Sequence, residues 1–294
     1  MRKLIVLLLL ICLLLGCTPA QTPAPAPAPS EQTPLFVHYI DVGQADCTLI
    51  KYGDMDILID AGNTNSGKDV VSYLTRLGVD DLELVIATHP HADHIGGMYD
   101  VLKAFEIEAI WTTTATYDSS VYRSFTEQIA AQALNLHHPK PGEVHNYEEI
   151  QLTVLGPVRE NYTDINDTSI VVMMEFLGKR FLFAGDMESI AETEMMASGA
   201  DVKADVLKVG HHGSYSSTSY SFLKAVDPDY GIIPVGRNNE YGHPHAAPLT
   251  RLITAGVRVY RTDTMGTVVC ATDGNTLAFF REMNGIVEGA KPAA

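Results

Sequence analysis

The fold class predicted from the sequence is α+β, with two β-sheets packed face to face and helices outside. Three observations predict it. Short apolar runs rich in Val, Ile and Leu recur along the chain and suit strands. They alternate with stretches whose apolar residues fall at helical spacing, as Val70, Val71, Leu74 and Leu77 do. The pattern comes in two runs, the second half repeating the style of the first, which fits two sheets each covered on its outer side.

The first residues stand outside that fold. Arg2-Lys3 precede an uninterrupted apolar run from Leu4 to Leu15, which reads as a secretory signal peptide and is short for a transmembrane helix. It ends in Leu14-Leu15-Gly16-Cys17, similar to the lipobox of a bacterial lipoprotein, in which the Cys17 thiol takes a diacylglyceryl group and becomes the mature N-terminus. Each buried CH₂ of such a tether adds ~0.8 kcal/mol. The expectation is an extracytoplasmic, membrane-anchored domain. An uncleaved anchor, or secretion with a chance cysteine, would put the domain on the same side. Residues 18–34, TPAQTPAPAPAPSEQTP, have no apolar face to bury and favour an extended polyproline II spacer. At ~3.1 Å per residue it reaches on the order of 50 Å. The folded domain is expected over 35–282, with a tail over 283–294.

Leu35 to Ile40, Cys47 to Tyr52 and Met55 to Ile59 read as strands with tight turns at Gly43 and Gly53-Asp54. Lys68 to Leu77 is a helix stopped by Gly78. Leu84 to Ala87 is a buried strand, Met98 to Phe105 a helix, Ile107 to Trp111 a strand and Ser120 to Leu134 an amphipathic helix. Ile150 to Leu155 resumes strand. Ser169 to Phe176 and Arg180 to Phe183 form a hairpin around Leu177-Gly178-Lys179. Glu188 to Ala197 is helical, Val202 to Val209 a strand, Ser216 to Val226 a helix and Tyr230 to Val235 a strand. Pro248 to Ala255 is the last helix, before strands at Val257 to Tyr260, Thr267 to Ala271 and Thr276 to Phe280.

Chemistry concentrates in Leu84 to Gly97, LVIATHPHADHIGG. His89, His91, Asp93 and His94 follow directly on a buried strand, and imidazole and carboxylate are the ligands of Zn²⁺, Mn²⁺ and Fe. In an extended loop, His89 and His91 would point the same way and grip one ion. Asp93 and His94, displaced along it, would grip a second, as two-metal hydrolases require. Gly96-Gly97 is expected to let the backbone turn tightly into the next helix. A polar, histidine-rich surface loop explains this density of ligands poorly.

HPHADH matches the HxHxDH signature of the metallo-β-lactamase superfamily. Asp41-Val-Gly-Gln-Ala-Asp46, Lys208-Val-Gly-His-His-Gly-Ser214 and Tyr241-Gly-His-Pro-His245 resemble its subgroup found at the C-terminal end of the competence protein ComEC. The resemblance runs from about Phe36 to about Phe280. It implies an αββα sandwich with two divalent metal ions, Zn or Mn, at one edge, where loops from both halves meet. The ligands it implies are His89, His91, Asp93, His94, Asp186 and His212. Asp186 would bridge the ions, against its other reading as a helix N-cap. Asp60 would orient a histidine through its other ring nitrogen, against its reading as a turn residue. His212 is favoured as ligand and His211 as substrate contact or proton donor, with the two open to exchange because adjacent strand residues point opposite ways. Many members carry a further histidine where this chain has Asp164-Ile-Asn166-Asp167-Thr-Ser169. There Asn166 or Asp167 would fill the gap, directly or through water, with Asn166 the one placed toward the reaction and Asp167 behind it. The loss of an imidazole moves preference toward Mn²⁺. His243 and His245, with Asn239 and Tyr241, would wall the site and donate to phosphate.

The activity implied is hydrolysis of a phosphodiester by a metal-bridged hydroxide. Net charge is −16, and removing Arg2 and Lys3 leaves 18 basic residues against 36 acidic. With no basic run to release counterions, long nucleic acid is disfavoured, and a small or envelope-borne phosphodiester is the expected substrate. Single-stranded nucleic acid stays open. The alternatives are a β-lactam, thioester or lactone hydrolase on the same scaffold, or a non-catalytic lipoprotein with a structural metal. Cys47 and Cys270 are expected as buried free thiols. His137, His138 and His145, in a Pro/Gly-rich stretch, are expected at the surface without a role.

Overall fold

Successive strand residues go to opposite faces, and that alternation builds the layers. In the strand Met55–Ile59, Ile57 and Ile59 enter one apolar cluster and Leu58 another; in Leu84–Ala87, Leu84 and Ile86 oppose Val85. All six are buried, as happens only when both faces of a sheet are covered. Phe181 and Phe183 against Leu182, and Val206 against Leu207, repeat the arrangement in the second half.

The computed structural model describes residues 33–283 and 286–292. A nine-stranded sheet runs, edge to edge, Ile286–Gly289, Leu277–Met283, Thr267–Thr272, Leu35–Tyr39, Thr48–Tyr52, Met55–Ile59, Leu84–Ala87, Ile110–Thr112, Leu136–His137. A seven-stranded sheet runs Arg258–Arg261, Tyr230–Ile233, Val206–Lys208, Lys179–Phe183, Val171–Phe176, Ile150–Gly156, Val144–Tyr147. Tyr39, Trp111, Val172, Phe176 and Ile232 fill the layer between the sheets. Helices Gly67–Arg76, Met98–Ala104 and Ser120–Gln132 cover the outer face of the first sheet, and Ser189–Ala197, Tyr220–Val226 and Ala246–Thr254 that of the second. This is the αββα sandwich expected. Truncating a buried leucine costs ~2–5 kcal/mol, whereas an exposed pair such as Arg123–Asp118 is worth ~0–1. The layers, not the surface charges, hold the fold.

Each sheet is antiparallel on one side and parallel on the other. The parallel ladders are Met55–Ile59, Leu84–Ala87, Ile110–Thr112 and Leu136–His137 in the first, and Lys179–Phe183, Val206–Lys208, Tyr230–Ile233 and Arg258–Arg261 in the second. Parallel neighbours release their outgoing loops at one end, the usual place for a ligand site. The Val171–Phe176/Lys179–Phe183 hairpin turns through Leu177 and Gly178 at φ 47° and 87°, the positive pair that a type I′ turn needs.

Several expected elements differ. The strand from Ile107 to Trp111 is interrupted: Glu106–Ile107 pairs with Asp81–Leu82 in a separate small sheet, and only Ile110–Thr112 joins the main one. The strand from Val202 shrinks to Val206–Lys208, because the Ala204 amide donates to Val226 and the Asp205 carboxylate accepts the Arg180 amide. The helix expected from Ser216 starts at Tyr220, its N-terminus capped by the Ser219 hydroxyl. The domain does not end at 282. Leu277–Met283 completes its strand there, and Ile286–Gly289 pairs back on it, so the expected tail contributes a sheet edge. Cys47 and Cys270 are buried free thiols. Among the described residues no helix is long and apolar enough to cross a membrane. The expected signal peptide, Cys17 and most of the expected linker lie outside the described residues.

Candidate metal centre

Asp60 follows Met55–Ile59 at φ 58°, in the left-handed region. Its carboxylate accepts hydrogen bonds from the Thr88 amide and hydroxyl, both at 2.8 Å, and from His94 Nδ1 at 2.7 Å. His94 is thereby fixed as the tautomer that leaves Nε2 for a metal, which is the orienting part expected of Asp60. The stretch after Leu84–Ala87 is not the extended loop expected. His91 caps a helical turn, Ala92–Ile95, that carries Asp93 and His94. Gly96 and Gly97 have helical φ values of −61° and −80°, so conformational freedom is not why they are glycine. A Cβ on Gly97 would lie 2.1 Å from the Ala61 carbonyl oxygen, and one on Gly96 2.3 Å from the Thr64 nitrogen. Backbone must approach backbone there.

From the second sheet, Lys179–Phe183 delivers Asp186, whose amide donates to the Ser169 hydroxyl at 3.1 Å. Val206–Lys208 leads into a 3₁₀ turn, Gly210–Gly213, in which His211 and His212 have φ 47° and 51°. They are successive turn residues, not strand neighbours pointing apart as expected. Both bring Nε2 toward Asp186 Oδ2, His211 to 3.8 Å and His212 to 3.6 Å. Their surroundings distinguish them. His212 is buried, with Nδ1 3.0 Å from the Pro234 carbonyl and Nε2 3.4 Å from Asp93. His211 is partly exposed, with Nδ1 3.0 Å from Glu188.

Asp93, His94, Asp186 and His212 each offer one ligand atom, all within 4.8 Å of one another. His94 Nε2, His212 Nε2 and Asp186 Oδ1 are buried with no hydrogen-bond partner. Orphaned buried atoms are costly and call for an explanation, and a divalent cation supplies it. Charge agrees: four carboxylates meet here with one buried lysine, Lys208 lying beside Asp46 and Asp186 while Asp60 faces His94 and Asp93 faces His212. Burial opposes a charged His94, but Asp186 and Asp60 outweigh it and hold its pKa well above the ordinary value. Burial likewise opposes a proton on His212, yet Asp186 and Asp46 push it up to about 10. Burial would raise Asp186, but His94 and His212 hold it well below the usual carboxylate range. The residues therefore fit a cation. His89 and His91 stand beside this group rather than in it: His89 Nε2 is 3.0 Å from His91 Nδ1, and its ring centre lies 4.1 Å from that of His94.

The remaining expected residues gather unevenly. His243 packs 5.5 Å from His211 and 6.2 Å from His212, centre to centre. Burial, then the charges of His212 and His211, lower its pKa to about 4. Gln44 fixes its tautomer. Gln44 Oε1 accepts the Gly236 amide, so Nε2 donates to His243 Nδ1 at 3.3 Å, leaving the ring hydrogen on the far nitrogen. His245 is one ring further out, its Nδ1 accepting the Tyr215 amide. Asn239 closes the loop, accepting the His243 amide and donating to its carbonyl. Asn166 is buried, with Nδ2 3.4 Å from Glu188 and Oδ1 without a partner. Asp167 accepts the Glu188 amide, so its carboxylate secures the start of the helix Ser189–Ala197.

Sequence reasoning missed Asp46, Lys208, Glu188 and Gln44. Lys208 ends a buried three-residue strand, and a cation in such a run has to find a carboxylate. That signal was present. Gln44 and Asp46 lay in the Asp41–Asp46 motif without an assigned role, and Glu188 carried no signal. His137 and His145 are partly exposed, at the surface as expected. Glu143, in the same stretch, hydrogen-bonds both.

A model of the metallo-beta-lactamase superfamily matches residues 40–237. The chain belongs to that superfamily. As a superfamily member it carries a metallo-hydrolase fold with candidate ligands for divalent metal. ComE operon protein 3 of Bacillus subtilis (strain 168) is 32% identical over 250 residues, covering 79% of this chain and 32% of that protein. Recombination protein 2 of Haemophilus influenzae is 32% identical over 222 residues, covering 74% and 26%. The chain thus spans about a third or less of the relatives' length. Among solved structures, the metallo-beta-lactamase fold protein YhfI from Bacillus subtilis shares the fold at TM-score 0.56 and 14% identity, covering 82% of this chain and all of that one.

Proposed function

We propose that this superfamily member is a metal-dependent phosphodiesterase acting on a small or envelope-borne substrate. The observation that carries it is the set Asp93, His94, Asp186 and His212, with its orphaned buried atoms, flanked by His89 and His91 and faced by His211. Asp186, whose carboxylate meets His94, His212 and His211, is the residue to join two cation positions, with His89 and His91 completing the second. When bound, divalent cations supply Lewis acidity and an ionised water near neutral pH.

The chain's own groups do the rest. Asp60 aims His94. Glu188 holds His211 by Nδ1 and turns Nε2 to the centre; burial opposes its proton, but the Glu188 hydrogen bond and Asp186 raise its pKa. His211 is therefore placed to hand a proton to a leaving alkoxide. His243, neutral and with its hydrogen directed away from Gln44, donates to a phosphoryl oxygen. Several imidazoles around one site suit a substrate with two or more acceptor oxygens, and the name of one relative, Recombination protein 2, sits with phosphodiester chemistry. The acidic balance favours a small substrate over long nucleic acid.

After chelation the protein should be inert toward bis-p-nitrophenyl phosphate, and Mn²⁺ or Zn²⁺ should restore turnover that changes little with salt. Turnover of a β-lactam or thioester with none of the diester would overturn the reading. We also propose anchoring through Cys17, for which the run ending in Leu14-Leu15-Gly16 is the support. Cys17→Ala should leave membrane fractions or fail to mature; normal processing and unchanged membrane association would refute the anchor.

A further inference from the structure

At the edge of the sandwich the two sheets are joined by a short connection carrying the second group of ligand-type side chains. Leu136–His137 is the outer strand of the nine-stranded sheet and Val144–Tyr147 the outer strand of the seven-stranded one. His137 comes from the first, His145 from the second, and Glu143 from the turn between. Glu143 Oε2 lies 2.6 Å from His137 Nε2 and 3.2 Å from His145 Nε2, and one ligand atom from each of the three falls within 4.8 Å of the others. The opposite carboxylate oxygen accepts the Lys140 amide at 2.9 Å, which fixes the group's orientation. Buried Trp111 backs the cluster, its ring 4.6 Å from His145 and 6.1 Å from His137. The other side is half-exposed, leaving a way in.

We propose that His137, Glu143 and His145 form a second divalent-cation site, for Zn²⁺ or a metal of similar preference, that fastens the outer strand of one sheet to that of the other. Two imidazole nitrogens and a carboxylate are a zinc donor set that leaves one position for water. A tetrahedral ion with bonds of ~2.0–2.1 Å spaces its ligand atoms about 3.3 Å apart, so the 3.2 Å separation already fits and the 2.6 Å one has to open by about 0.7 Å, which half-exposed side chains can give. Imidazole-rich sets rank Cu²⁺ and Ni²⁺ beside Zn²⁺ and above Mn²⁺, so those ions serve as probes. The ion would join residues from two sheets across a short connection, and it shares no residue with the hydrolytic centre.

Trp111 is the chain's sole tryptophan, so its emission reports on this place. Titrating the full chain with Ni²⁺ should quench it along a saturable curve. In His145→Gln that phase should vanish, bound zinc after dialysis should fall by one ion per chain, and diester turnover should be retained. Glu143→Gln, which keeps the side chain's size, should weaken the same phase and guards against a folding defect in the histidine variant. A His145→Gln protein, folded by circular dichroism, with the wild-type zinc content or the wild-type quenching curve would overturn the proposal. The histidines would then be hydrogen-bonded to Glu143 and nothing more.

Discussion

Asp186→Ala is expected to lose metal from the whole centre and to cut diester turnover by ~10²-fold or more. Its carboxylate meets His94, His211 and His212 together, so one side chain ties three of the candidate groups. Losing it removes the carboxylate that three imidazoles face and leaves their nitrogens facing one another. A His89→Ala protein provides the contrast, since His89 contacts His91 and the His94 ring but lies outside the four-residue ligand group. It should retain the cation held by that group. Metal content per chain, measured beside turnover for both variants, reads the difference. Full metal content with normal turnover in Asp186→Ala would remove the joining role and most of the proposed chemistry.

Lys208→Met is expected to destabilise the fold by ~3–5 kcal/mol, the range for breaking a buried ion pair from one side. Lys208 is buried, pairs with Asp46, donates to the Gly185 carbonyl at 2.8 Å and lies 3.8 Å from Asp186. Burial disfavours its charge, but Asp46 and Asp186 raise its pKa and keep it protonated. Methionine fills the space without the charge and leaves buried Asp46, beside Asp60, without its lysine. At ~2–4 °C per kcal/mol for a chain of this size, the melting temperature should fall by on the order of 10 °C. A double variant, Lys208→Met with Asp46→Asn, should recover much of the loss, because the uncompensated charge and not the missing contact carries the cost. A single variant that melts like the wild type would mean the pair contributes nothing net.

The strands came through because their chemistry is local. Met55–Ile59 and Leu84–Ala87 lie where their apolar runs placed them, since a strand buried on both faces has nothing but apolar residues to show. Edge strands do not announce themselves this way. Val144–Tyr147 keeps one face in solvent, and its polar residues read as loop. The metal loop was legible in composition and illegible in shape. His89, His91, Asp93 and His94 marked the place, but the helical turn Ala92–Ile95 depends on backbones meeting at Gly96 and Gly97, and no run of letters reports the Ala61 carbonyl pressed against Gly97. Glu188 stayed hidden for a related reason. It follows Asp186 closely, but its role depends on His211, Ser216 and Asn166 arriving from two other loops.

Leu35–Tyr39 and Thr267–Thr272 lie side by side inside the nine-stranded sheet, Leu35 opposite Thr272 and Tyr39 opposite Val268. The earliest and nearly the latest strands of the domain are therefore neighbours at its middle. Nothing made before the final stretch of synthesis can close that sheet. Pairings between residues so distant in sequence are slow to form, because chain entropy is lost long before any contact repays it. An emerging or translocating chain would hold Thr48–Tyr52 and Met55–Ile59 as a hairpin with one side of Leu35–Tyr39 unpaired, an open edge until its last partner is delivered. The same geometry makes the C-terminal strands intolerant of truncation: removing them would strip the partner from a central strand rather than trim a margin.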